Sequence, residues 1–268
     1  MQINYIIDCN ATIKEFIIDN ISRNFYGYLK EHNVIYNVNG LIKHSYDNVE
    51  IGDELIIIYD EEKNQDGILS NISIDILYED ELYLVVDKPS HLQSIPSRSN
   101  PNDSVFNRLL YYFKDTNYTV HLINRLDKET KGIVLVAKSN YATAILREFN
   151  KKYYAITDKM LDNAEGVIDL PILKVDGSIK RVIDDKGQKA ITLYKLYNQD
   201  DFFTYEIELK TGRTHQIRLH FAHLGSPLIN DTLYGGTQYG DLELGLICRE
   251  ITFYHPILKE NITIKSRY

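Results

Sequence analysis

The residues best suited to chemistry lie in one polar segment, RLDKETK, which precedes an apolar run. Asp127 stands there between Arg125 and Lys128, and Thr130 and Lys131 follow. A carboxylate surrounded by cations is expected to stay ionised, because the positive charges favour its charged form. An ionised carboxylate suits a nucleophile or an electrostatic stabiliser better than a general acid. The competing interpretation is a loop aspartate that caps a turn or pairs with an arginine for stability.

A second polar segment, RTHQIRLHFAHLG, has the length of a helix and ends on Gly225, a residue type that terminates helices. On a helix, Arg218 would lie within a half-apolar surface, where a cation needs a partner. His215, His220 and His223 invite a metal interpretation. Their spacing differs from HExxH and the segment contains no carboxylate, so we expect no metal site and histidines that are structural or contact RNA.

A third segment, KKYYAIT, combines lysine with aromatic side chains immediately before a predicted strand. Tyr153 or Tyr154 could stack on a nucleobase, while Lys151 and Lys152 hold phosphate groups. The chain contains 21 tyrosines, so a tyrosine pair is weak evidence by itself.

A strand-rich framework that starts near residue 72 must position these segments. ISIDILYED and LYLVVDKP are typical of two paired strands, and GIVLVAKS is typical of a fully buried strand. Further strands are predicted at KAITLYKLY, FFTYEIELK, LICREITFY and NITIK. Two other helices are predicted, one capped near residues 102–104 and one capped by Ser139. Strands and helices do not alternate regularly, which favours an α+β fold with a mixed or antiparallel sheet.

The first 60 residues form a separate group of predicted elements. Thr12 and Ser22 are expected to cap two short helices within residues 11–31. Asn39 and Gly40 lie between two apolar runs, a strong hairpin signal. The chain is therefore divided into a small domain (1–62), a linker (63–71) and a larger domain (72–268).

The composition is that of an ordinary globular protein, with 44% hydrophobic and 25% charged residues among 268. No apolar run approaches the roughly 20 residues of a membrane-spanning helix, and the start MQINYIID does not resemble an export signal. Cys9 and Cys248 are too few for a disulfide framework or a zinc cluster. These features predict a cytoplasmic protein without a membrane partner.

The distribution of charge is uneven along the chain. Residues 1–80 contain 15 acidic and 5 basic residues, a net charge of about −10, so the rest carries about +2. Between Arg108 and Lys152 the basic residues outnumber the acidic ones by 9 to 4. This segment is compatible with local binding of a polyanion, and equally with a solvated charged surface.

The order of these segments resembles the RluA family of pseudouridine synthases. The resemblance rests on LYLVVDKPSHLQSIPS, NRLDKETKGIVLVAKS, KKYYA, TGRTHQIRLHFAHLGSPLINDTLYGG and LICREITFYHPILKE, and it covers about residues 72–265. Residues 11–60 are similar to the small α-L RNA-binding domain of a ribosomal small-subunit protein. The resemblance implies a pseudouridine-synthase fold: a mixed, mainly antiparallel central sheet flanked by helices, behind a small α/β N-terminal domain.

The resemblance also implies roles for individual residues. Asp127 matches the catalytic aspartate. Tyr153 matches a tyrosine that stacks on the target base and whose hydroxyl could assist removal of the C5 proton. Arg218 matches an arginine that pairs with the catalytic aspartate. The residues expected to contact the RNA or the base are Arg125, Lys128, Thr130, Lys131, Lys151, His215, Gln216 and Leu246.

The sequence departs from the family pattern at several positions. Asn124 replaces the usual histidine before Arg-Leu-Asp, Lys131 replaces a serine, and His91 replaces a glycine. Ile247 and Cys248 replace a His-Ala pair, and the stretch 149–153 is shorter than usual. The aspartate, the tyrosine and the second arginine are all retained, so the departures bear on the choice of RNA and on catalytic rate.

The expected activity is isomerisation of specific uridines in rRNA or tRNA by a monomer that needs no protein partner, metal or organic cofactor. One alternative is a non-catalytic RNA-binding relative that acts in ribosome assembly. Two others are a metal-dependent hydrolase that uses the histidines and an assembly factor that acts through the N-terminal domain. The acidic charge of that domain weakens the last alternative.

Overall fold

The computed structural model describes residues 1–63 and 67–268. The predicted linker, 63–71, falls partly on residues 64–66, which lie outside the described residues, so the domain boundaries stay a prediction. Within the described residues, the helices are all too short and too polar to span a bilayer.

The N-terminal part contains six strands and two helices. They are β1 (Gln2–Ile6), β2 (Ala11–Thr12), α1 (Ile13–Asn20), α2 (Arg23–Lys30), β3 (Ile35–Val38), β4 (Leu41–Lys43), β5 (Asn48–Val49) and β6 (Glu54–Ile58). Four strands form an antiparallel sheet in the order β1-β6-β3-β4, and β2 pairs with β5. The predicted caps are confirmed: Thr12 forms a capping box with Glu15, and Ser22 caps α2. Asn39 and Gly40, with φ angles of 51° and 87°, form the predicted hairpin turn.

The larger part contains twelve strands and three helices among the described residues. They are β7 (Asp75–Glu79), β8 (Tyr83–Lys88), α3 (Val105–Tyr112), β9 (His121–Leu122), β10 (Lys131–Ala137), α4 (Asn140–Ile145), β11 (Phe149–Thr157), β12 (Glu165–Asp169), β13 (Ile172–Lys174), β14 (Arg181–Ile183), β15 (Ile191–Gln199), β16 (Phe203–Leu209), α5 (Gln216–His223), β17 (Leu246–His255) and β18 (Glu260–Lys265). Ser104 and Ser139 cap α3 and α4, as predicted.

One large sheet dominates this part. Eight strands follow the order β12-β15-β16-β11-β17-β10-β8-β7, while β18 pairs with β17 and β9 pairs with β10. Strands β10 and β17 run parallel, whereas the other pairs of this sheet that the structure describes are antiparallel. The predicted α+β class with a mixed, mainly antiparallel sheet is confirmed.

The centre of the sheet positions the polar segments. All six residues of β8 and six of the seven in β10 are buried, as their apolar runs require. Gly132 lies where β10 pairs in parallel with β17 and has a φ of 110°. A Cβ at this position would lie 2.2 Å from the carbonyl oxygen of Cys248. Glycine is needed for this close approach of β10 to β17.

Helix α2 and strand β1 of the N-terminal part contact α4 of the larger part. The hydroxyl groups of Tyr5 and Tyr141 are 2.9 Å apart, and the Phe25 ring lies 5.8 Å from that of Tyr141. The Glu61 carboxylate accepts hydrogen bonds from the Asn140 amide (2.8 Å) and the Thr119 hydroxyl (3.1 Å). Burial opposes ionisation of Glu61, but hydrogen bonds from its neighbours outweigh it and lower the pKa of this carboxyl.

We predict that Glu61→Gln lowers the free energy of unfolding at pH 7 by about 2 kcal/mol, because a charged acceptor of buried hydrogen bonds is lost. Since the folded-state pKa lies below its ordinary value of 4.5, this contribution is complete above pH 4.5 and disappears as the pH falls through the folded value. Urea unfolding of both proteins between pH 7 and pH 3 measures the difference.

Glu81→Gln is the matched control, because the Glu81 side chain is exposed in the turn between β7 and β8. Its unfolding should follow that of the wild type at every pH. A constant difference between Glu61→Gln and the wild type across this range would contradict the assigned role of the Glu61 charge.

Candidate active site

A cavity of about 640 Å³ brings most of the predicted residues together. It opens between the loop that follows β9, strand β11 and the turn before α5. The predicted residues that line it are Arg125, Asp127, Lys128, Thr130, Lys151, Tyr153, His215, Gln216 and Leu246. Arg218 instead lines a neighbouring cavity of about 840 Å³, which shares Asp127, Lys128 and His215 with the first. Asp127 thus lies where the two cavities meet.

Side chains from neighbouring segments hold the loop that carries Asp127. The Asn124 amide donates to the carbonyl of Ile133 (3.0 Å) and accepts from the backbone of Leu135 (2.8 Å), which ties the loop to β10. Ser94 donates to the carbonyl of Leu126 (2.7 Å) and accepts from its N–H (2.9 Å). The departure at Asn124 therefore retains a side chain that anchors the loop.

Lys88 holds the other end of this loop, and sequence reasoning missed its role. Its fully buried ammonium group donates to the carbonyls of Pro89 (2.9 Å), Leu92 (2.7 Å) and Lys128 (3.1 Å). Burial lowers the pKa of Lys88 to about 8, and the negative charge of Asp127 opposes that shift. The available signal was a lysine at the end of a largely apolar strand.

The Asp127 carboxylate remains accessible, with its side chain 31% exposed. Its Oδ2 atom lies 3.9 Å from Nε2 of His215. Arg125 and Lys128 are exposed at the cavity rim, within reach of phosphate groups, and the Lys128 ammonium also lies 3.9 Å from the Glu129 carboxylate. Thr130 is 2% exposed, and its backbone N–H donates to the Asp127 carbonyl (3.1 Å), closing a tight turn.

Tyr153 lines the cavity on the wall opposite Asp127. It lies within β11, whereas the sequence predicted that it precedes a strand. Its strand pairs with β17, so that Tyr153 lies opposite Cys248 and close to the buried Leu246. Burial raises the pKa of Tyr153 well above its ordinary value, and a hydrogen bond to the Cys248 thiol adds to that shift. The phenol therefore stays protonated and does not suit removal of the C5 proton as a base. The Lys151 ammonium lies 5.8 Å from the centre of this ring.

The expected pair between Arg218 and Asp127 is wrong. Arg218 forms two parallel bonds to Asp231, from Nε to Oδ2 (2.8 Å) and from Nη2 to Oδ1 (2.7 Å). The Asp231 side chain is fully buried and offers both oxygens to the planar guanidinium, the geometry that arginine prefers. Arg218 therefore acts on Asp127 only through its nearby charge, and Asp231 is a residue that sequence reasoning missed.

Two lysines expected to attract phosphate are already paired. The Lys131 ammonium lies 2.7 Å from Glu243, and Lys131 lines neither cavity. Lys152 lies 3.3 Å from Glu206 on the neighbouring strand. Each lysine therefore has a carboxylate partner in this structure, and its contact with phosphate stays a prediction.

Gln216 is a structural residue in this cavity. Its amide oxygen accepts from the Thr211 hydroxyl (2.9 Å) and the Arg213 N–H (3.0 Å). Its amide nitrogen donates to the Ile191 carbonyl and the Thr192 hydroxyl, each at 3.0 Å. All four bonds are internal, so Gln216 shapes the turn before α5 and has no polar group left for RNA.

The three histidines of this region face different partners. Nδ1 of His215 lies 3.0 Å from the Tyr234 hydroxyl, and buried His220 contacts Thr192 (2.9 Å) and the Leu170 carbonyl (3.0 Å). His223 is exposed. No group of three or more histidine, cysteine or acidic side chains within residues 1–63 and 67–268 could hold a metal ion.

His91 shows how the chain accommodates another departure. Its φ of 62° is the left-handed conformation that favours the glycine usual at this position. Its ring pairs with Glu129, and Ser90 donates to the Glu129 carbonyl (2.8 Å). The residue that replaces glycine is therefore tied to the loop that carries Asp127.

Comparison with known proteins agrees with this arrangement. The family model for RNA pseudouridylate synthases matches residues 82–223, more than half of the chain. The chain is 40% identical over 222 residues to the uncharacterized RNA pseudouridine synthase YjbO of Bacillus subtilis, covering 79% of this chain and 78% of that protein. It is 36% identical over 216 residues to the ribosomal large subunit pseudouridine synthase D of Buchnera aphidicola, covering 76% of this chain and 68% of the relative.

A solved structure has the same fold. Human RNA pseudouridylate synthase domain containing 4 superposes with a TM-score of 0.58 at 23% identity, covering 72% of this chain and 88% of that one. The chain belongs to the RluA family of RNA pseudouridine synthases, which confirms the resemblance of the larger part. It is an isomerase that acts on RNA. The likeness of residues 11–60 to an α-L domain stays a prediction.

We predict that Asp231→Asn destabilises the protein by about 3–5 kcal/mol, because it leaves the buried Arg218 guanidinium without its counter-charge. The free energy of unfolding in urea at pH 7 measures this loss. Asp241 is exposed, so Asp241→Asn is the control. Its free energy of unfolding should differ from that of the wild type by no more than about 0.5 kcal/mol, as is usual for surface substitutions. A loss below about 1 kcal/mol for Asp231→Asn would mean that the pair contributes no more than a surface salt bridge.

Proposed function

We propose that Asp127 is the catalytic aspartate and that the substrate is a uridine in ribosomal RNA, with transfer RNA as the alternative. The observation that carries the proposal is the position of Asp127: a partly exposed carboxylate on an anchored loop, where two cavities meet, with Tyr153 on the opposite wall. The name of the Buchnera relative refers to the ribosomal large subunit, which supports rRNA as the substrate class.

The reaction breaks the bond between N1 of uracil and C1′ of the ribose and forms a bond from C5 to C1′. The base loses its C5 proton and gains a proton on N1, so atoms and charge balance without an external reagent. Asp127 either attacks C1′ or removes a proton from C2′, and both routes need the ionised carboxylate. The anchored loop would hold this carboxylate at the sugar while the base turns.

The cavity is suited to a nucleotide that has left its stack. The target atoms of a paired uridine are covered, so the nucleotide must turn out into the cavity. The ring of Tyr153 and the side chain of Leu246 provide an apolar surface for the detached base. Arg125, Lys128 and Arg213 are exposed around the opening and would hold the neighbouring phosphates.

The remaining parts of the proposal concern the protein as a whole. RNA binding by residues 1–62, a monomeric state and a cytoplasmic location stay predictions from the sequence. The acidic charge of residues 1–80 suggests that this region contributes little to bulk RNA affinity, which depends on phosphate contacts.

We predict that Asp127→Asn abolishes pseudouridine formation while the fold is retained. An amide of the same size cannot act as nucleophile or base. Release of tritium from rRNA transcripts labelled at uridine C5 measures turnover directly, because the C5 proton is lost in the reaction. The exposed Asp115→Asn serves as the control and should react like the wild type.

Activity of Asp127→Asn within about tenfold of the wild type, roughly 1.4 kcal/mol of barrier, would refute the catalytic role. Circular dichroism and the urea midpoint of the variant establish that any loss is not caused by unfolding.

We predict that Tyr153→Phe retains RNA affinity and most of the turnover, whereas Tyr153→Ala loses about 1–3 kcal/mol of binding, the contribution of stacking on one base. Phe keeps the aromatic surface, and the protonated hydroxyl that it removes is not needed as a base. Filter binding and single-turnover tritium release separate the two effects. Equal behaviour of both variants and the wild type would show that Tyr153 only packs the core.

A further inference from the structure

His215 occupies an unusual place beside the catalytic loop. It precedes the first residue of α5 with a φ of 59°, a conformation that costs energy for any residue with a Cβ. This backbone turn places the ring between two groups, with Nε2 3.9 Å from Oδ2 of Asp127 and Nδ1 3.0 Å from the Tyr234 hydroxyl. The side chain is only 14% exposed.

The hydrogen bonds around Tyr234 favour one tautomer of the His215 ring. The Tyr234 oxygen accepts a bond from the backbone N–H of Arg181 (2.9 Å). Its own hydrogen is then free to be donated to Nδ1 of His215, the ring nitrogen within reach. A neutral imidazole that accepts at Nδ1 carries its proton on Nε2, the atom that faces Asp127.

The surroundings favour the neutral ring. The titratable and charged groups around it are Asp127, Arg181, Arg218, Asp231 and Tyr234. Burial lowers the pKa of His215, the two arginines add to this effect, and the two aspartates oppose it. The imidazole therefore stays neutral near pH 7, and its Nε2–H group lies 3.9 Å from the Asp127 carboxylate, a short movement away from a hydrogen bond that brings no positive charge.

We propose that His215 is a positioning residue for Asp127, and that the Tyr234 hydroxyl fixes the tautomer in which Nε2–H is directed at the carboxylate. A neutral donor orients the carboxylate and leaves its negative charge available for the reaction. An imidazolium in the same place would neutralise that charge, as an ion pair does. The inference rests on the proposed catalytic role of Asp127.

The first test is the pH dependence of Tyr234→Phe. The hydrogen bond that Tyr234 donates stabilises the neutral ring, so its loss should favour protonation of His215 at higher pH. We expect kcat at pH 7 to fall about tenfold with KM for an rRNA transcript within twofold. The acid limb of the kcat profile should move to higher pH. The control is Tyr239→Phe, whose hydroxyl bonds Asp158 at 3.1 Å outside both cavities, and its profile should not move.

The second test compares His215→Gln with His215→Met. Both side chains are unbranched at Cβ and Cγ and similar in length, and both bear the cost of the positive φ. Gln retains an N–H donor and Met does not, so Gln should keep at least about tenfold more kcat than Met. A purely structural role of His215 would lower both variants equally.

The outcomes distinguish the role of His215 from the catalytic role proposed for Asp127. Full activity of Asp127→Asn would overturn the catalytic assignment itself. If Asp127→Asn is inactive but Gln and Met at position 215 react alike, or the acid limb of Tyr234→Phe stays in place, the catalytic assignment stands and the role of His215 is refuted.

Discussion

The buried ammonium group of Lys88 is the constraint on which the active-site geometry depends. A cation without access to water is costly unless its donors are all bonded, and here three carbonyls from two loops converge on it. One of these carbonyls belongs to Lys128, the residue after Asp127. The end of β8 therefore determines where the loop that carries Asp127 lies, and β8 in turn is fixed by its place in the large sheet between β7 and β10.

On the other side of the cavity, buried polar groups with internal partners also fix the turn before α5. Gln216 uses all four of its hydrogen bonds internally, and Arg218 is fully committed to Asp231. These buried polar groups leave the turn few alternatives, which allows His215 to adopt a strained backbone conformation beside Asp127. Rigid walls of this kind suit a reaction in which a base is detached, turned and rejoined without leaving the site.

Local signals predicted most of the fold. Helix caps at Thr12, Ser104 and Ser139 and the turn at Asn39 depend on a few neighbouring residues, so the sequence alone was sufficient for them. The start of β11 was misplaced because it depends on pairing with β16 and β17, which lie far along the chain.

The sequence predicted most residues of the candidate site correctly but predicted fewer of the contacts between them. Family motifs identified nine of the residues that line the cavity, but a motif does not state which partner each side chain chooses. Arg218 pairs with Asp231, 13 residues away, and Lys131 pairs with Glu243, 112 residues away. Neither partner is marked by local spacing. Lys88 was missed for a related reason, because its carbonyl acceptors are backbone groups that no side-chain pattern reveals.

Asp127, held in this loop, is proposed to convert a ribosomal uridine to pseudouridine. Mapping of pseudouridine in rRNA and tRNA from cells that lack the gene, and from the same cells supplied with the wild type or with Asp127→Asn, tests it most directly. We expect at least one rRNA position that is modified with the wild type and unmodified both without the gene and with Asp127→Asn. Restoration of that position by Asp127→Asn, or no change at any RNA position when the gene is removed, would contradict it.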